Sequence, residues 1–391
     1  MRIAIITNSN PPGLPLLGGT GRVVEIEKEM LEKAGHEVCV FSARPFFYAL
    51  SSRSVLSRLF FHLADLFPSF ILRREIRAFN PQIIYTHNLT GCGFSTPRGI
   101  RRSGIKWIHK LHDVQLFEPS GQIRVHESFA SLHLVWRHAW ALLRRIAMGQ
   151  SDIVISPTRW LLDEHRRYGF FKHADCRVIP NPSPVQGTVL GCHPEGSRSD
   201  EGSSNRDSCR EHTETLQLED PSASLRSGRD DMKKKYDLIF VGRLDEDKGI
   251  DLVIHVWEQL RAQDVSLVLV GSGSWEDRLR ERHDPLLIVR GALLAEGVME
   301  ALSQSRVLVF ASRILENQPT VILEAFAAGC QVVATDVGGV RETVGGRGTV
   351  VPAEDVGALS LAVQKALKVS RSDSMNFNIQ KSFLDDFLAI F

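Results

Sequence analysis

Two successive series of short apolar runs, each alternating with helix-like segments, constrain this chain more than any other feature. The first series comprises Ile3 to Thr7, Glu37 to Ser42, Gln82 to His87, Lys106 to His112, Asp152 to Ser156 and Arg177 to Ile179. The second comprises Asp237 to Val241, Ser266 to Val270, Leu286 to Val289, Val307 to Ala311, Gln331 to Thr335 and Thr349 to Val351. Strands that alternate with helices lie parallel, because each helix carries the chain back across the sheet before the next strand begins. The expected fold class is therefore α/β, with two Rossmann-like, doubly wound parallel-sheet domains. Such domains bind ligands just beyond the carboxyl ends of their strands, and two of them joined at a hinge face one another across a cleft. The expected divisions are 1–181 for the N-terminal domain, 182–236 for a hinge with a polar insertion, 237–370 for the C-terminal domain, and 371–391 for a segment able to return to the N-terminal domain.

At 391 residues, 43% hydrophobic and 24% charged, the chain has ample material for two cores. Residues 183–235 are rich in Ser, Gly, Arg, Asp and Glu without a sustained apolar period, so they read as a disordered insertion. Cys192-His193 and Cys209-x-x-His212 in that tract match no common zinc-ligand spacing and read as coincidence. The six cysteines form no dense framework, which fits a reducing, cytoplasmic compartment. The start, MRIAIITNSN, reads as a first strand rather than a leader, and the most apolar stretch, Leu59 to Leu72, is broken by His62, Asp65 and Pro68. A net charge of +1 conceals an asymmetry: residues 1–180 carry 24 Lys and Arg against 14 Asp and Glu, and the remainder carries the opposite excess. The first half is expected to prefer an anionic partner.

The residues with chemical potential fall just after strands. Gly18-Gly19-Thr20-Gly21-Arg22 opens a helix after the first strand, and glycine lets backbone N–H groups approach a phosphate. Val24 stands where a dinucleotide fingerprint has its third glycine, so a plain tight turn is the competing reading. His112, in Lys110-Leu111-His112-Asp113 at the end of a strand, suits a hydrogen bond to a sugar hydroxyl; a packed histidine of no chemical role is the alternative. His87, after the preceding strand, reads similarly. Arg243 and Lys248 lie five residues apart on one loop, and a fork plus a mobile point charge suit a diphosphate. Asp245-Glu246-Asp247 between them reads as a solvated acidic loop rather than a metal site, since its neighbours already bring positive charge.

The sharpest signal is Glu316-Asn317-Gln318-Pro319-Thr320-Val321-Ile322-Leu323-Glu324. Pro319 suits the first turn of a helix, which puts Glu316 in the preceding loop and Glu324 in the second turn. An ionised carboxylate accepts from two vicinal hydroxyls, as a ribose diol or a hexose ring would require. The N–H groups near Thr320 and Val321 are free to hold a diphosphate, while an acidic first turn that only complements the helix dipole is the bland alternative.

With these motifs the chain resembles the retaining GT-B glycosyltransferases of the group 1 class, glycosyltransferase family 4. The resemblance is carried by the GG-x-x-R loop with Ala34-Gly35-His36-Glu37-Val38, the His-Asp pair after a strand, Ser151 to Pro157, Val178 to Pro182, the VGR…KG loop, Gly271-Ser272-Gly273 and the E-x7-E element. It implies that Gly19, Arg243, Lys248 and the helix start at Thr320 and Val321 bind the donor diphosphate, that Glu324 holds the ribose, and that Glu316 and His112 contact the donor sugar. It further implies a nucleoside-diphosphate sugar as donor, a saccharide as acceptor, and no metal, cofactor or nucleic acid. Two departures stand out: Arg290 lies where relatives often have an apolar residue by the nucleobase, and the chain stops soon after Phe387. A sugar-nucleotide epimerase of the same architecture lacks this E-x7-E context, a phosphorylase needs a pyridoxal-binding lysine, and a non-catalytic sugar-nucleotide-binding subunit has no need of His112 and Glu316.

Residues 44–79 interleave large apolar side chains (Phe46, Phe47, Phe60, Phe67, Phe70) with Arg44, Arg53, Arg58, Arg73, Arg74 and Arg77. That pattern suits a peripheral contact with an anionic membrane at the inner face of the cell membrane and a lipid-linked saccharide acceptor; a core-packed helix with a solvated basic face is the alternative.

Overall fold

The computed structural model describes residues 1–8, 18–42, 70–89, 92–93, 95–125, 131–182, 234–369 and 385–391. The insertion at 183–233, with its Cys-His pairs, and residues 44–69 of the apolar and basic stretch lie outside the described residues. The first unit comprises β1 (Arg2–Thr7), α1 (Gly18–Lys33), β2 (Glu37–Ser42), α2 (Phe70–Phe79), β3 (Ile83–Thr86), α3 (Ser95–Ser103), β4 (Lys106–Lys110), α4 (Ser131–Met148), β5 (Ile153–Ser156), α5 (Arg159–Arg167) and β6 (Asp175–Val178). Its six strands are parallel in the order β2-β1-β3-β4-β5-β6. The second unit comprises β7 (Tyr236–Val241), α6 (Ile250–Leu260), β8 (Leu267–Val270), α7 (Glu276–Arg280), β9 (Leu287–Val289), α8 (Ala295–Ser303), β10 (Ser305–Phe310), α9 (Thr320–Ala327), β11 (Gln331–Thr335), α10 (Val340–Val344), β12 (Thr349–Val351) and α11 (Val356–Lys368). These strands are also parallel, in the order β12-β11-β10-β7-β8-β9.

Both sheets are covered on both faces, which is why their strands read as unbroken apolar runs rather than alternating ones. In the first unit, Ile3, Ile5, Val24, Tyr85 and Ile108 fill one side, and Ala4, Ile6, Trp107, Val154 and Leu161 fill the other. Phe387 and Ile390 join the first of these clusters, and Lys106 Nζ donates to Ile390 O at 2.7 Å, so residues 385–391 pack onto the first sheet. In the second unit, Trp257, Leu260 and Val363 lie on one side of the sheet, and Leu302, Ile322 and Val340 on the other. The order of strands reverses between β1 and β3 in one sheet and between β7 and β10 in the other. Crevices open at those points, and the loops after these four strands line them.

Polar contacts join the units along one seam. Residues 123–125 of the first unit and 313–315 of the second pair as a short antiparallel ladder, with Val125 N–H donating to Arg313 O (2.8 Å) and Leu315 N–H to Ile123 O (2.7 Å). Asn317 Oδ1 accepts from Thr158 Oγ1 at 2.8 Å, and the Gln318 side chain accepts from Asn181 N–H. Glu342 on α10 accepts from Arg159 N–H (2.7 Å) and Trp160 N–H (2.8 Å), the first two amides of α5. Thr158 caps the same helix through Leu161 N–H, so side chains from both units satisfy its start.

A carboxylate at a helix N-terminus contributes through both hydrogen bonds and the dipole. Glu342→Ala should therefore lower stability by about 1 kcal/mol, and Glu342→Gln, which keeps one acceptor, by less. Chemical denaturation of the three proteins checks this ordering. An unchanged midpoint in Glu342→Ala would show that the interdomain cap contributes nothing.

Candidate active site

The loop after β7 is shaped by close backbone approach. Gly249, at φ 73°, ends the 3-10 turn Glu246–Lys248, and a Cβ there would lie 1.9 Å from Ala311 O. Only glycine lets the loop lie against the end of β10. Arg313 clasps it there, donating to both oxygens of Asp251 (2.5 and 2.7 Å), to Glu354 (2.8 Å) and to Glu246 O (2.7 Å). Hydrogen bonds from its guanidinium to Asp251 hold Arg313 above its ordinary range. The result is a fixed perch for Lys248, whose Nζ donates to Glu316 Oε1 at 2.6 Å; Ser312 Oγ donates to the same oxygen at 2.9 Å.

Arg243 projects from the same loop with its side chain half exposed, and donates to Asp245 Oδ2 at 2.8 Å and to Asp247. Asp245 also accepts from Ser274 N–H (2.8 Å) and Oγ (2.7 Å), which chiefly holds its carboxyl below the usual range. The 245–247 loop is acidic and partly solvated, with Glu246 exposed, and the contacts show in addition that Asp245 and Asp247 orient Arg243. Two of the five guanidinium N–H groups are so engaged, and one of the three on Lys248, which leaves donors on both cations for an incoming anion.

Helix α9 begins one residue later than a first-turn proline would have it, with Pro319, which has no side-chain acceptor to offer its first amides, in the cap position. Across the cleft, Gly19 in the first turn of α1 is exposed and so close that a Cβ on it would lie 3.7 Å from Thr320 Oγ1. Two helix N-termini, each carrying about half a positive charge, thus meet at one place. Glu324, in the second turn of α9, is buried, and Arg22 Nε approaches its Oε1 to 3.6 Å. Burial pushes the Glu324 carboxyl up and Arg22 opposes that shift.

On the first unit β4 ends at Lys110, two residues before His112, so the strand does not extend to that histidine as the sequence reading has it. His112 instead sits in the turn beyond, where Asn317 Nδ2 donates to its carbonyl at 3.2 Å and its Nε2 lies 2.8 Å from His87 Nδ1. The two imidazoles stack with centroids 5.0 Å apart. Burial drives both rings well below their ordinary pKa, so both are neutral near pH 7. Asp113 accepts from Gln115 N–H at 2.9 Å and from Asn88, and burial pushes its carboxyl up to about 6.

The structure thus brings several of the residues singled out from the sequence together: Glu316 bonds Lys248, Gly19 adjoins Thr320, and Asn317, next to Glu316, bonds His112. Sequence reasoning overlooked Arg22 as a partner of Glu324, Asn317 and Gln318 as interdomain clasps, and Glu342 as a helix cap. Asn317 and Gln318 lie inside the E-x7-E element and Arg22 inside the GG-x-x-R loop, but Glu342 carried no signal.

Comparison with known proteins bears on the family and the fold. Residues 17–185 match the family model described as Glycosyltransferase Family 4, and residues 235–368 match Glycosyl transferases group 1; together they take in more than half of the chain. The chain is 24% identical over 88% of its length to a GDP-mannose-dependent alpha-mannosyltransferase of Mycobacterium tuberculosis, 81% of which is covered. A putative colanic acid biosynthesis glycosyltransferase of Salmonella typhimurium is 33% identical over 32% of this chain and 34% of that protein. An uncharacterized 42.6 kDa protein in the cps region of Klebsiella pneumoniae is 25% identical over 42% of this chain, which spans about half (51%) of that relative. Among solved structures, sucrose-phosphate synthase of Thermosynechococcus elongatus superposes with a TM-score of 0.61 at 18% identity, covering 100% of this chain and 94% of that one. Anabaena HepE in complex with UDP gives 0.58 at 17% identity over 100% of this chain and 94% of its own. At such identities the structural likeness speaks for the fold alone; with the two family matches, the chain belongs to the group 1 glycosyltransferases and has the GT-B fold.

Proposed function

We propose that this chain transfers a hexosyl group from a nucleoside-diphosphate sugar to a saccharide acceptor, with retention of anomeric configuration and without a metal ion. The observation that carries this reading is the meeting of the α1 and α9 starts at Gly19 and Thr320, with Lys248 and Arg243 on the loop after β7. Amides, helix dipoles and two cations concentrate positive potential where a diphosphate would gain charge as it leaves. Glu316 then takes hydroxyls of the sugar, Glu324 the ribose diol, and His112 a further sugar hydroxyl. In the transfer the bond from C1 to the diphosphate oxygen breaks and the bond from the acceptor oxygen to C1 forms on the same face. The acceptor proton passes to the departing diphosphate oxygen, so no protein nucleophile is required. A UDP complex of a structural neighbour and a GDP-mannose-dependent relative support a nucleoside-diphosphate donor, and the relatives from cps and colanic acid contexts support a polysaccharide or glycoconjugate pathway.

A membrane-bound acceptor is favoured by one surface. Helix α4 turns Leu134, Val135, Trp136, Leu142, Leu143 and Ile146 outward, with Ile146 69% and Val135 65% exposed. Beside it α3 exposes Arg98, Arg101 and Arg102, and Arg101 is tied to the end of α4 through Ala147 O at 3.2 Å. Apolar side chains flanked by arginines suit the boundary of an anionic bilayer, each charge there contributing about 1 kcal/mol. In this reading the protein acts at the inner face of the cell membrane on a lipid-linked saccharide.

Titration calorimetry with UDP- and GDP-hexoses in the presence of chelator should give binding to at least one; loss of affinity or turnover on removing divalent ions overturns the metal-free mechanism. Glu316→Gln should lower turnover on the order of 100-fold while nucleoside diphosphate binding changes little, whereas Glu324→Gln should weaken both by about tenfold. Equal, small effects would reduce the motif to a capping turn. Sedimentation with anionic and neutral vesicles should show salt-sensitive preference for the anionic ones, lost in Trp136→Ser/Ile146→Ser. Indifference to lipid charge at low salt leaves a soluble acceptor.

A further inference from the structure

Behind the cleft, the first unit holds a polar cluster with no access to solvent. Glu27 on α1, Tyr85 on β3, Lys110 on β4 and His87 just after β3 are each 0% exposed. Tyr85 OH donates to Glu27 Oε2 at 2.8 Å, Lys110 Nζ donates to Glu27 Oε1, and His87 Nε2 lies 3.6 Å from Glu27 Oε2. From His87 the chain of contacts leads outward, since its Nδ1 is 2.8 Å from Nε2 of His112. Tyr85 belongs to an apolar core that includes Val24 and Leu31 on α1 and Ile5, Ile83 and Ile108 on the strands.

Stability does not account for it. A buried ion pair loses in desolvation about what it gains in attraction, and apolar residues of similar volume at 27 and 110 would hold the fold as well. What apolar residues would not do is place a negative charge beside one nitrogen of His87. A neutral imidazole has one N–H and one lone pair, and a carboxylate facing Nε2 favours the proton there. His87 Nδ1 must then accept, so the hydrogen in the His87–His112 contact belongs to His112 Nε2. The lone pair of the His112 ring is left on Nδ1.

We propose that Glu27, held by Lys110 and Tyr85, is a positioning residue that sets the tautomer of His87 and through it that of His112, making His112 Nδ1 a hydrogen-bond acceptor for a hydroxyl of the bound sugar. The proposal rests on the transferase reading above only in its last clause. A ring with this lone pair accepts from a hydroxyl and repels a phosphate oxygen, so it selects sugar over diphosphate at that position. Lys110 balances the charge of Glu27 and competes for its other oxygen. Desolvation of both rings, with His87 wholly buried, keeps them from gaining a second proton, which would erase the distinction between the two nitrogens.

Long-range nitrogen–proton correlation spectra of histidine-labelled protein read the tautomers directly. In the wild type, His112 should show a protonated Nε2 and an unprotonated Nδ1. Glu27→Gln alone strands a buried ammonium and is expected to unfold more readily, so the informative variant is Glu27→Gln/Lys110→Met, which removes both charges. Its thermal transition should stay close to that of the wild type, its His112 signals should move toward a mixture of tautomers, and kcat should fall by about 10- to 100-fold with donor KM within about twofold. A wild-type His112 protonated at Nδ1 overturns the proposal, as does a folded double variant with unchanged tautomers and unchanged kcat. If the double variant does not fold, the wild-type spectrum with His87→Asn, which removes the relay at its middle, decides in the same way. Should no nucleotide sugar bind to the wild type while the tautomers are as stated, the transferase reading fails and the relay stands.

Discussion

The geometry of the cleft depends on the short stretch from Arg313 to Gln318. It leaves the end of β10, pairs edge to edge with residues 123–125 of the other unit, carries Glu316 to Lys248, reaches His112 through Asn317 and ends at the cap of α9. Each intramolecular hydrogen bond along it contributes a net amount of only about 1 kcal/mol. Their value lies in direction, because backbone pairing allows one register and the register places Glu316 opposite the first unit. Gly338 completes the constraint: at φ 62° it lies so close to Glu316 that a Cβ would come within 2.2 Å of its carbonyl oxygen. A side chain at that position would push the stretch off its path.

Charge within the cleft is arranged as pairs rather than as a bare positive patch. Lys248 holds Glu316, Arg243 holds two aspartates, and Arg22 stands by Glu324. Isolated cations in a partly buried cleft would repel one another and hold water tightly. Pairing keeps each side chain in one orientation while leaving donors unused, so an anion meets an array already pointed at it. The first unit contributes neutral imidazoles and a carboxyl with raised pKa, a contrast that sets a side of paired charges against a side of uncharged polar rings.

How much of this was legible in the sequence follows from the distance over which each residue acts. Strand positions were readable almost to the residue, because parallel strands buried on both faces have little choice but continuous apolar runs. The exceptions are polar residues with hidden partners. β10 starts at Ser305, which is buried with its hydroxyl donating to Ala301 O at 2.7 Å. β4 stops at Lys110, whose ammonium lies buried against Glu27, and does not run on to His112 as the sequence reading has it. In the site, Glu316, Glu324, Arg243, Lys248 and His112 were recognisable because their spacing along the chain mirrors their place on loops and helix starts. The pairing of Arg22 with Glu324 and of Glu342 with Arg159 was not, since each joins residues far apart in the chain and nothing in either residue's local sequence points to the other. For the Asp245-Glu246-Asp247 loop, composition says that it is acidic and solvated, but not that Arg243 folds back onto it.

The return of residues 385–391 to the first sheet has a consequence for how the protein is made. Phe387 is wholly buried beside Tyr85, with ring centroids 6.3 Å apart, and Ile390 lies with Ile3 and Ile155. The last strand of that sheet leaves the ribosome about two hundred residues earlier. At bacterial or eukaryotic elongation rates, the first domain therefore waits about 10 to 40 s with an apolar gap in its wall while the second is still being synthesised. During that interval the nascent chain presents a hydrophobic socket that a chaperone or a neighbouring polysome can occupy, and a translational pause or truncation anywhere in the second domain prolongs it.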